Sequence, residues 1–399
     1  MIDSLELFCG TGGLALGLQQ AGFNHKALIE WDKDSCDNIQ SNIEEGYSLV
    51  HDWTVLQSDV REVEFGKRFS GVTLVSGGPP CQPFSLGGKH QAYNDKRDMF
   101  PQAVRAVREL HPQAFIFENV KGLLRHSFSS YFNYILLQLQ HPDLVKKDGE
   151  TWEQHLHELE EYHTSSSEKG FYYNVVFRLL NAADYGVPQQ RHRVVIVGFR
   201  NDIDANWTFP EPTHSRDALL YSKWVTGDYW KKHGLVMPAI PEKDKAAVER
   251  LRKNPPSTLP WATVRDAFVG LPAPAIDSNC DFPNHEFRGG AKQYAGHSGS
   301  LLDEPSKTIK AGAHGVPGGE NMIVLDDGTQ RYYTIRESAR IQTFPDDYRF
   351  HGSWTESMRQ IGNAVPVKLA KIVGDSVYTQ LEGAMKHATE RWVASNKAI

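Results

Sequence analysis

Between residues 5 and 18 the chain reads Leu5-Glu6-Leu7-Phe8-Cys9-Gly10-Thr11-Gly12-Gly13-Leu14-Ala15-Leu16-Gly17-Leu18. The part up to Phe8 has the apolar content of a short strand, and the part from Leu14 has the periodicity of an apolar helix. The glycines between them allow the backbone to approach a ligand, and the start of the helix leaves amide donors facing it. The segment therefore predicts a strand, a nucleotide-binding loop and a helix, which is the opening of a Rossmann-like α/β domain.

A second predicted strand, Lys26-Ala27-Leu28-Ile29-Glu30, ends in an acid. Rossmann-like units place a carboxylate about 20 residues after the glycine loop, where it binds ribose hydroxyls. Glu30 follows Gly10 at that distance. The glycines alone fit a dinucleotide nearly as well as another nucleotide ligand. The only sign against a dinucleotide is that the pattern is GxGG and not GxGxxG.

The candidate nucleophile is Cys81, in the segment Gly77-Gly78-Pro79-Pro80-Cys81-Gln82-Pro83-Phe84-Ser85. This segment follows the apolar run Val72-Thr73-Leu74-Val75. A structural cysteine usually lies inside an apolar element, whereas Cys81 lies on a turn rich in glycine and proline, which solvent and ligands can reach. The position favours a reactive thiol.

An acid and two arginines complete the candidate site. Glu118 ends the apolar run Ala114-Phe115-Ile116-Phe117, which is typical of a buried parallel strand. Burial at the carboxyl edge of the sheet should favour the protonated form of this acid. Arg191 and Arg193 alternate at strand period before Val194, so we expect both guanidinium groups on one side of the sheet edge, where they suit an anionic or carbonyl-bearing ligand.

Taken in order, these motifs resemble those of the DNA cytosine-5 methyltransferases, in particular the bacterial restriction-modification type. Two further blocks extend the match, Arg331-Tyr332-Tyr333-Thr334-Ile335-Arg336-Glu337-Ser338-Ala339-Arg340-Ile341-Gln342-Thr343-Phe344-Pro345 and Gln360-Ile361-Gly362-Asn363-Ala364-Val365-Pro366. The resemblance covers residues 1–200 and 305–380. It implies an α/β fold with a Rossmann-like S-adenosylmethionine-dependent domain and a smaller, irregular target-recognition domain.

The resemblance also implies a reaction and roles in it. Cys81 would add to carbon 6 of cytosine, which makes carbon 5 able to accept a methyl group, and Glu118 would donate a proton to ring nitrogen 3. Arg193 would hold the cytosine carbonyl, with Arg191 and Gln189 shaping the same pocket. Because the ring is shielded inside a duplex, the base must be flipped out. Gln82 and Ser85 resemble residues of the loop that closes over the DNA.

The cofactor implied is S-adenosylmethionine. The family's loop around its methionine end matches Phe8, Gly10, Gly12 and Gly13, and the ribose-binding acid matches Glu30. Trp31 would stack on the adenine, and Asp59 would bond its amino group. A C-terminal block beside the glycine loop would contribute Asn363 and Val365.

The chain is long enough for two domains: 399 residues, of which 40% are hydrophobic and 23% charged. We predict a catalytic S-adenosylmethionine-binding domain over residues 1–200, a target-recognition domain over 201–345, and a return to the catalytic domain over 346–399. Glycine-rich loops of the middle region, such as 312–319, could read base edges in the major groove. The His- and Glu-rich stretch 152–161 is interpreted as a solvated helix of an insertion.

The net charge of −6 predicts weak non-specific binding to nucleic acid, although a basic groove can coexist with an acidic surface. The cysteines show no metal-like pairing, so neither a disulfide nor a metal site is predicted. With no apolar stretch of membrane-spanning length and no signal segment, the chain is expected in the cytoplasm.

The expected partner is double-stranded DNA, and the resemblance allows for a cognate restriction endonuclease that acts on the same site without a stable complex. Two alternatives stay open: a tRNA cytosine-5 methyltransferase, and a non-catalytic nucleic-acid-binding protein with this fold. The sequence does not give the target site, the modified cytosine, the base that removes the carbon-5 proton, the oligomeric state, the source, or the presence of a paired nuclease.

Overall fold

The structure, a computed structural model, describes residues 2–80, 98–165, 170–274, 276, 282–291, 298–311 and 321–397. The predicted nucleophile Cys81, the predicted DNA contacts Gln82 and Ser85, and the glycine-rich stretch 312–319 lie outside the described residues.

Seven strands of the described residues form one sheet. Its strands are β1 (Ile2–Leu7), β2 (Phe23–Glu30), β3 (Val55–Gln57), β4 (Leu74–Gly77), β5 (Ala114–Val120), β6 (Tyr173–Asn181) and β7 (His192–Arg200). They lie in the order β3-β2-β1-β4-β5-β7-β6. The neighbours from β3 to β5 run parallel, and β7 runs antiparallel to β5. The order reverses direction beside β1, so the ligand-binding edge lies at the carboxyl ends of β1, β2, β4 and β5.

The α-helices described between residues 13 and 164 are α1 (Gly13–Gln20), α2 (Lys33–Glu44), α3 (Phe65–Arg68), α4 (Phe100–Leu110), α5 (Ser129–Gln140) and α6 (Trp152–Thr164). α4 shows why they pack on the sheet: Phe100, Ala103, Val104 and Val107 recur at helical period and are buried in the same core cluster as Phe115 of β5. The sequence prediction of an α/β, Rossmann-like fold is confirmed.

A carboxyl side chain is buried beneath the glycine loop. Glu6 of β1 is fully buried, and its Oε2 accepts a hydrogen bond from Ser76 Oγ of β4 at 3.2 Å. The backbone of Ala15, in the first turn of α1, also bonds this carboxyl group. Burial outweighs both bonds and raises the pKa of Glu6 to about 8.

The predicted solvated helix of the insertion corresponds to α6, but one of its histidines is buried. The ring of His155 is buried: its Nε2 donates to the carbonyl of Leu144 at 3.0 Å, and its Nδ1 forms a 2.8 Å hydrogen bond with Tyr134 Oη. Burial lowers the pKa of this histidine. The helix is therefore solvated on one side and attached to α5 on the other.

The chain divides into two compact units. Unit 1 contains residues 1–180, 192–209 and 370–399, and unit 2 contains residues 181–191 and 210–369. The divisions fall at other residues than those expected from the motif order, because 181–191 and 346–369 belong to unit 2. The assignment of the middle region to target recognition stays a prediction.

Unit 2 is built from short elements, and one hydrophobic cluster in it includes Trp224, Tyr229 and Trp230. Its elements are β8 (His214–Ser215), α7 (Arg216–Trp224), α8 (Asp228–Lys232), α9 (Glu242–Lys253), β9 (Leu259–Pro260), α10 (Val264–Ala267), β10 (Ser300–Leu301), β11 (Met322–Val324), β12 (Gln330–Tyr332), α11 (Ile335–Ile341) and α12 (Trp354–Asn363).

The last helix, α13 (Val367–Lys397), belongs to unit 1 from residue 370 onward. It lies so close to α1 that a Cβ atom on Gly374 would stand 2.9 Å from Leu18 Cδ2. Tyr378 packs edge-on against Phe23 of β2, with ring centroids 5.2 Å apart. Residues from the end of the sequence thus cover the first βα unit. Within the described residues, no helix is long and apolar enough to cross a membrane.

Candidate active site

The predicted cofactor loop lies between β1 and α1 and has a left-handed backbone at Phe8, Gly10 and Gly12, with φ of 56°, 53° and 82°. A Cβ atom on Gly12 would stand 3.1 Å from the ring of Trp53, whereas one on Gly10 would meet no atom within 4 Å. Gly12 therefore faces the protein and Gly10 faces open space. This is the arrangement expected of a loop whose backbone receives a ligand.

Glu30 ties this loop to the end of β2. Its carboxylate accepts hydrogen bonds from the backbone amides of Gly10 at 2.8 Å, Trp31 at 2.9 Å and Asp32 at 3.0 Å. Only 8% of Glu30 is exposed, and burial raises its pKa. A carboxylate has about four acceptor positions, so one remains for a ribose hydroxyl. The adjacent Trp31 is 71% exposed, as a stacking platform must be.

Asp59 stands near Glu30, because the amide of Ser58 donates to the carbonyl of Glu30 at 2.9 Å. Its carboxylate accepts from the backbone amide of Arg61 and from Arg61 Nε, both at 3.0 Å, and forms an ion pair with that guanidinium. These bonds lower the pKa of Asp59. The predicted adenine contact would therefore share this carboxylate with Arg61.

The backbone that leads to Cys81 is held at two points. The side-chain amide of Asn119 donates to the carbonyl of Pro79 at 2.9 Å, and the amide of Met99 donates to the carbonyl of Pro80 at 3.2 Å. A Cβ atom on Gly77 would stand 2.4 Å from the carbonyl oxygen of Leu7, so only glycine allows β4 to approach β1 this closely at its end. The residues immediately before Cys81 are thus fixed relative to β1 and β5.

Glu118 and Arg193 lie side by side at this edge. Both are 9% exposed, and Arg193 Nε forms an ion pair with Glu118 Oε1. Burial lowers the pKa of Arg193, an effect that the Glu118 carboxylate opposes. The sequence placed Glu118 at the end of a buried strand, and the structure adds the Arg193 guanidinium group beside it. A Cβ atom on Gly78 would stand 3.3 Å from Glu118 Oε2, so the start of the Cys81 segment lies against the carboxylate.

Arg191 differs from Arg193 in its partners, and the expectation that both arginines serve one pocket stays a prediction. Arg191 is fully buried, and its guanidinium donates to the carbonyls of Ile309 at 3.0 Å, Gly362 at 2.8 Å and Ala364 at 2.9 Å. Arg191 precedes β7 rather than lying within it. Its guanidinium group is committed to the backbone of unit 2, so these contacts favour a positioning role.

Gln189, predicted to bind substrate, is fully buried in the same network. Its side chain accepts from the amide of Ile309 and donates to Gln342 Oε1, each at 2.9 Å. Gln342 in turn donates to the carbonyl of Ile361 at 2.7 Å. Sequence reasoning did not single out Gln342, although it lies in a block that carried the resemblance.

Asn363 and Val365 lie at the end of α12 and just beyond it, in unit 2. Asn363 is exposed and Val365 is buried. Arg191 bonds the carbonyls on either side of Asn363, so it fixes this turn. Their predicted contact with the cofactor stays a prediction.

Sequence reasoning also passed over Asn119 and Met99, which hold the Cys81 segment. Asn119 carried a usable signal, because an amide directly after a strand-end acid can bond a neighbouring loop. Met99 acts through its backbone amide, which leaves no trace in residue type. Among the described residues, no group of three or more His, Cys, Asp or Glu side chains could hold a metal ion.

The sheet order, the glycine loop and the acids at the ends of β2 and β5 define a Rossmann-like domain with a candidate nucleotide site at the carboxyl edge of its sheet. The chain matches the model of the C-5 cytosine-specific DNA methylase family over residues 2–143 and 142–379, and it belongs to that family. It is a DNA (cytosine-5) methyltransferase. The family and the enzyme activity predicted from the sequence are confirmed.

Similar proteins agree with this assignment. The Type II methyltransferase M.NgoMIV of Neisseria gonorrhoeae is 31% identical over 389 residues, covering 95% of this chain and 98% of the relative. M.Eco47II of Escherichia coli, another Type II methyltransferase, is 33% identical over 387 residues, covering 95% and 79%. The solved structure of the S. pombe Dnmt2 methyltransferase shares the fold, with a TM-score of 0.54 at 15% identity, covering 96% of this chain and 99% of that one.

Proposed function

We propose that this enzyme methylates carbon 5 of cytosine within one specific double-stranded DNA sequence, through a covalent intermediate on Cys81, with S-adenosylmethionine as the methyl donor. One observation carries the proposal: the backbone before Cys81 is tied by Asn119 to the strand end that bears Glu118, with Arg193 beside it. A nucleophile, an acid and a guanidinium group would then act on one ring.

The residues at the carboxyl ends of β1 to β3 fit S-adenosylmethionine. The open space at Gly10 and the exposed ring of Trp31 flank a carboxylate, Glu30, that has an acceptor position left. When bound, the cofactor supplies an electrophilic methyl group. Around it we place Phe8, Gly10, Gly12 and Gly13 at the methionine end, Glu30 at the ribose, Trp31 and Asp59 at the adenine, and Asn363 with Val365 beside the loop.

In the proposed reaction the Cys81 thiolate forms a bond to carbon 6, and the electron pair of the 5,6 double bond is released toward ring nitrogen 3. Glu118 gives a proton to that nitrogen, while Arg193 donates to the ring carbonyl. Carbon 5 would then take the methyl group supplied by S-adenosylmethionine, with the methyl–sulfur bond breaking and its electron pair staying on that sulfur. Loss of the carbon-5 proton to a base, breakage of the carbon–sulfur bond and return of the nitrogen-3 proton to Glu118 restore the ring, the free thiolate and the acid.

The reaction needs access to the face of the cytosine ring, so we propose that the base is flipped out of the duplex, with Gln82 and Ser85 in the loop beside it. The middle region, residues 201–345 as predicted, would read the sequence. The names of the relatives support a role in a restriction-modification system, where a separate endonuclease acts on the same site. The enzyme would work wherever the cell keeps its DNA, which for a bacterium is the cytoplasm.

The family description names DNA as the substrate, so the tRNA alternative is not favoured, and the enzyme assignment does not favour a non-catalytic role. The deciding experiment expresses the chain in a bacterial host without cytosine methylation and maps 5-methylcytosine at base resolution. We expect methylation confined to one short motif. An unmodified genome, with folded protein present and 5-methylcytosine found in tRNA instead, would refute the proposal.

Cys81→Ser is the matched variant for this experiment. It replaces a thiol by a weaker nucleophile of similar size, so we expect methyl transfer to be abolished while binding of the same DNA remains measurable. Gel-shift titration gives the binding and labelled-methyl incorporation gives the activity. A variant that loses both to the same extent would contradict the division of roles.

A further inference from the structure

A clamp on α4 holds the segment that follows Asp59. Arg105 donates from Nη2 to the carbonyl of Val60 at 2.5 Å and from Nη1 to the carbonyl of Val63 at 3.0 Å. Its guanidinium group also lies over the ring of Phe65, 4.5 Å from the centroid. One planar cation thus contacts three residues of a segment about 45 positions earlier in the chain.

Glu109, one turn further along α4, completes the clamp. It accepts from Arg105 Nη1 at 2.9 Å and from the backbone amide of Phe65 at 3.2 Å. On the other side, Arg105 Nε donates to Gln102 Oε1 at 2.8 Å. Arg105 is therefore oriented from both directions along the helix, and only a fork of several donors can make this set of bonds.

The clamped segment carries the bonds that orient the Asp59 carboxylate, which accepts from the amide and the guanidinium of Arg61 within the turn Val60–Glu62. Asp59 caps the short 3-10 turn Val60–Glu62, and the amide of Glu62 bonds back to the carbonyl of Asp59 at 3.0 Å. Asp59 has no bond of its own to α4 among the described contacts. Its position relative to Glu30 and Trp31 is therefore fixed on one side by Ser58 and on the other by the turn that Arg105 holds.

We propose that Arg105 is a positioning residue for adenine recognition: by holding Val60 and Val63 it keeps the Asp59 carboxylate where it can accept from the adenine amino group. This inference rests on the proposed function, because it takes Asp59 as the adenine contact. The residue itself does not touch the cofactor, so removing it should change discrimination at the adenine and leave the methyl transfer step alone.

The test measures binding to the purified full chain by titration calorimetry, with S-adenosylhomocysteine and with its inosine analogue, in which a carbonyl replaces the adenine amino group. For Arg105→Ala we expect binding of S-adenosylhomocysteine to weaken by about tenfold, the order expected when one well-placed hydrogen bond is lost. Binding of the inosine analogue should change little. The wild-type preference for the adenine form should therefore shrink.

Arg105→Lys guards against a simple loss of folding, because it keeps the stem and the charge over Phe65 but cannot bridge two carbonyls. We expect it to lose discrimination as Arg105→Ala does. Arg108→Ala, on the same helix and without a described bond to residues 59–65, is the matched control and should bind both ligands as the wild type does. The turnover number at saturating cofactor should stay unchanged in all three variants.

A double-mutant cycle tests the positioning role of Arg105 separately from the proposed function. If Arg105 acts through Asp59, Arg105→Ala should add nothing to the loss already caused by Asp59→Ala. Equal weakening of both ligands, or additive losses in the cycle, would overturn the positioning role. Failure of the wild type to bind S-adenosylhomocysteine at all would instead refute the proposed function.

Discussion

Glu118 and Arg193 are two opposite charges buried against each other beside the segment that leads to Cys81. An ion pair in such a place contributes little to stability as a whole, but either partner left alone is costly. Sequence patterns indicated each residue separately, as a strand-end acid and a member of an arginine pair. Their pairing could not be predicted, because it depends on the antiparallel register that sets Val120 opposite Arg193.

Glu118→Gln tests the acid directly. The amide keeps the size of the side chain but cannot supply a proton to ring nitrogen 3, so we expect turnover to fall by on the order of a hundredfold or more. Binding of S-adenosylhomocysteine should be unchanged, because Glu30 and the glycine loop are untouched. Single-turnover methylation and calorimetry check the two halves, and near-normal turnover would exclude Glu118 as the proton donor.

Glu6 gives a prediction about stability and pH. Its pKa is raised from 4.5 to about 8 by burial, so between these values the folded chain holds a proton that the unfolded chain has lost. This group therefore makes folding less favourable as pH rises from about 5 to about 8. Glu6→Gln should lose that contribution, and its melting temperature relative to wild type should rise over this range. A constant difference between the two proteins across the range would contradict the argument.

At the scale of elements, the strand–loop–helix unit of β1 and α1 and the strands β4 and β5 were predictable, because each is written in a local pattern of apolar residues and glycines. The bonding partners of Arg191, which directly precedes β7, were not predictable. Strand periodicity predicted one side of the sheet edge for Arg191 and Arg193, but it gave no sign that Arg191 bonds the carbonyls of residues 309, 362 and 364. Such partners lie too far along the chain for any local pattern to show them.

Arg191→Lys follows from these bonds. A lysine carries the charge but cannot reach three carbonyls in different directions, so buried acceptors would lose their donors. We expect a loss of about 3 kcal/mol in the free energy of unfolding, measured in urea. Arg250→Ala, which breaks a surface ion pair with Asp217 in the same unit, should cost less than about 1 kcal/mol. If Arg191→Lys lowered the free energy of unfolding by no more than Arg250→Ala does, the buried network would add no stability.

At the scale of the whole molecule, motif order predicted two domains and a return of the chain to the first. The predicted boundaries, after residues 200 and 345, differ from those of the two compact units. Contiguous segments were assumed, whereas 181–191 is joined to unit 2 by long-range bonds such as Gln189 to Gln342 and Trp261 to Asp184. These bonds involve side chains whose residue types are common in any polar turn. Domain boundaries that depend on such long-range bonds cannot be predicted from the sequence and are identified only from the structure.

The packing of α13 on α1 has a consequence for how the protein is made. Leu18 and Phe23 leave the ribosome before unit 2, but Gly374 and Tyr378, which pack on them, are translated only after all of unit 2. The apolar surface formed by Leu18 and Phe23 must therefore stay uncovered while unit 2 is synthesised. Unit 1 can complete its fold only after unit 2 has been synthesised. Correct folding therefore requires that unit 2 does not bind this apolar surface before residues 370–399 cover it.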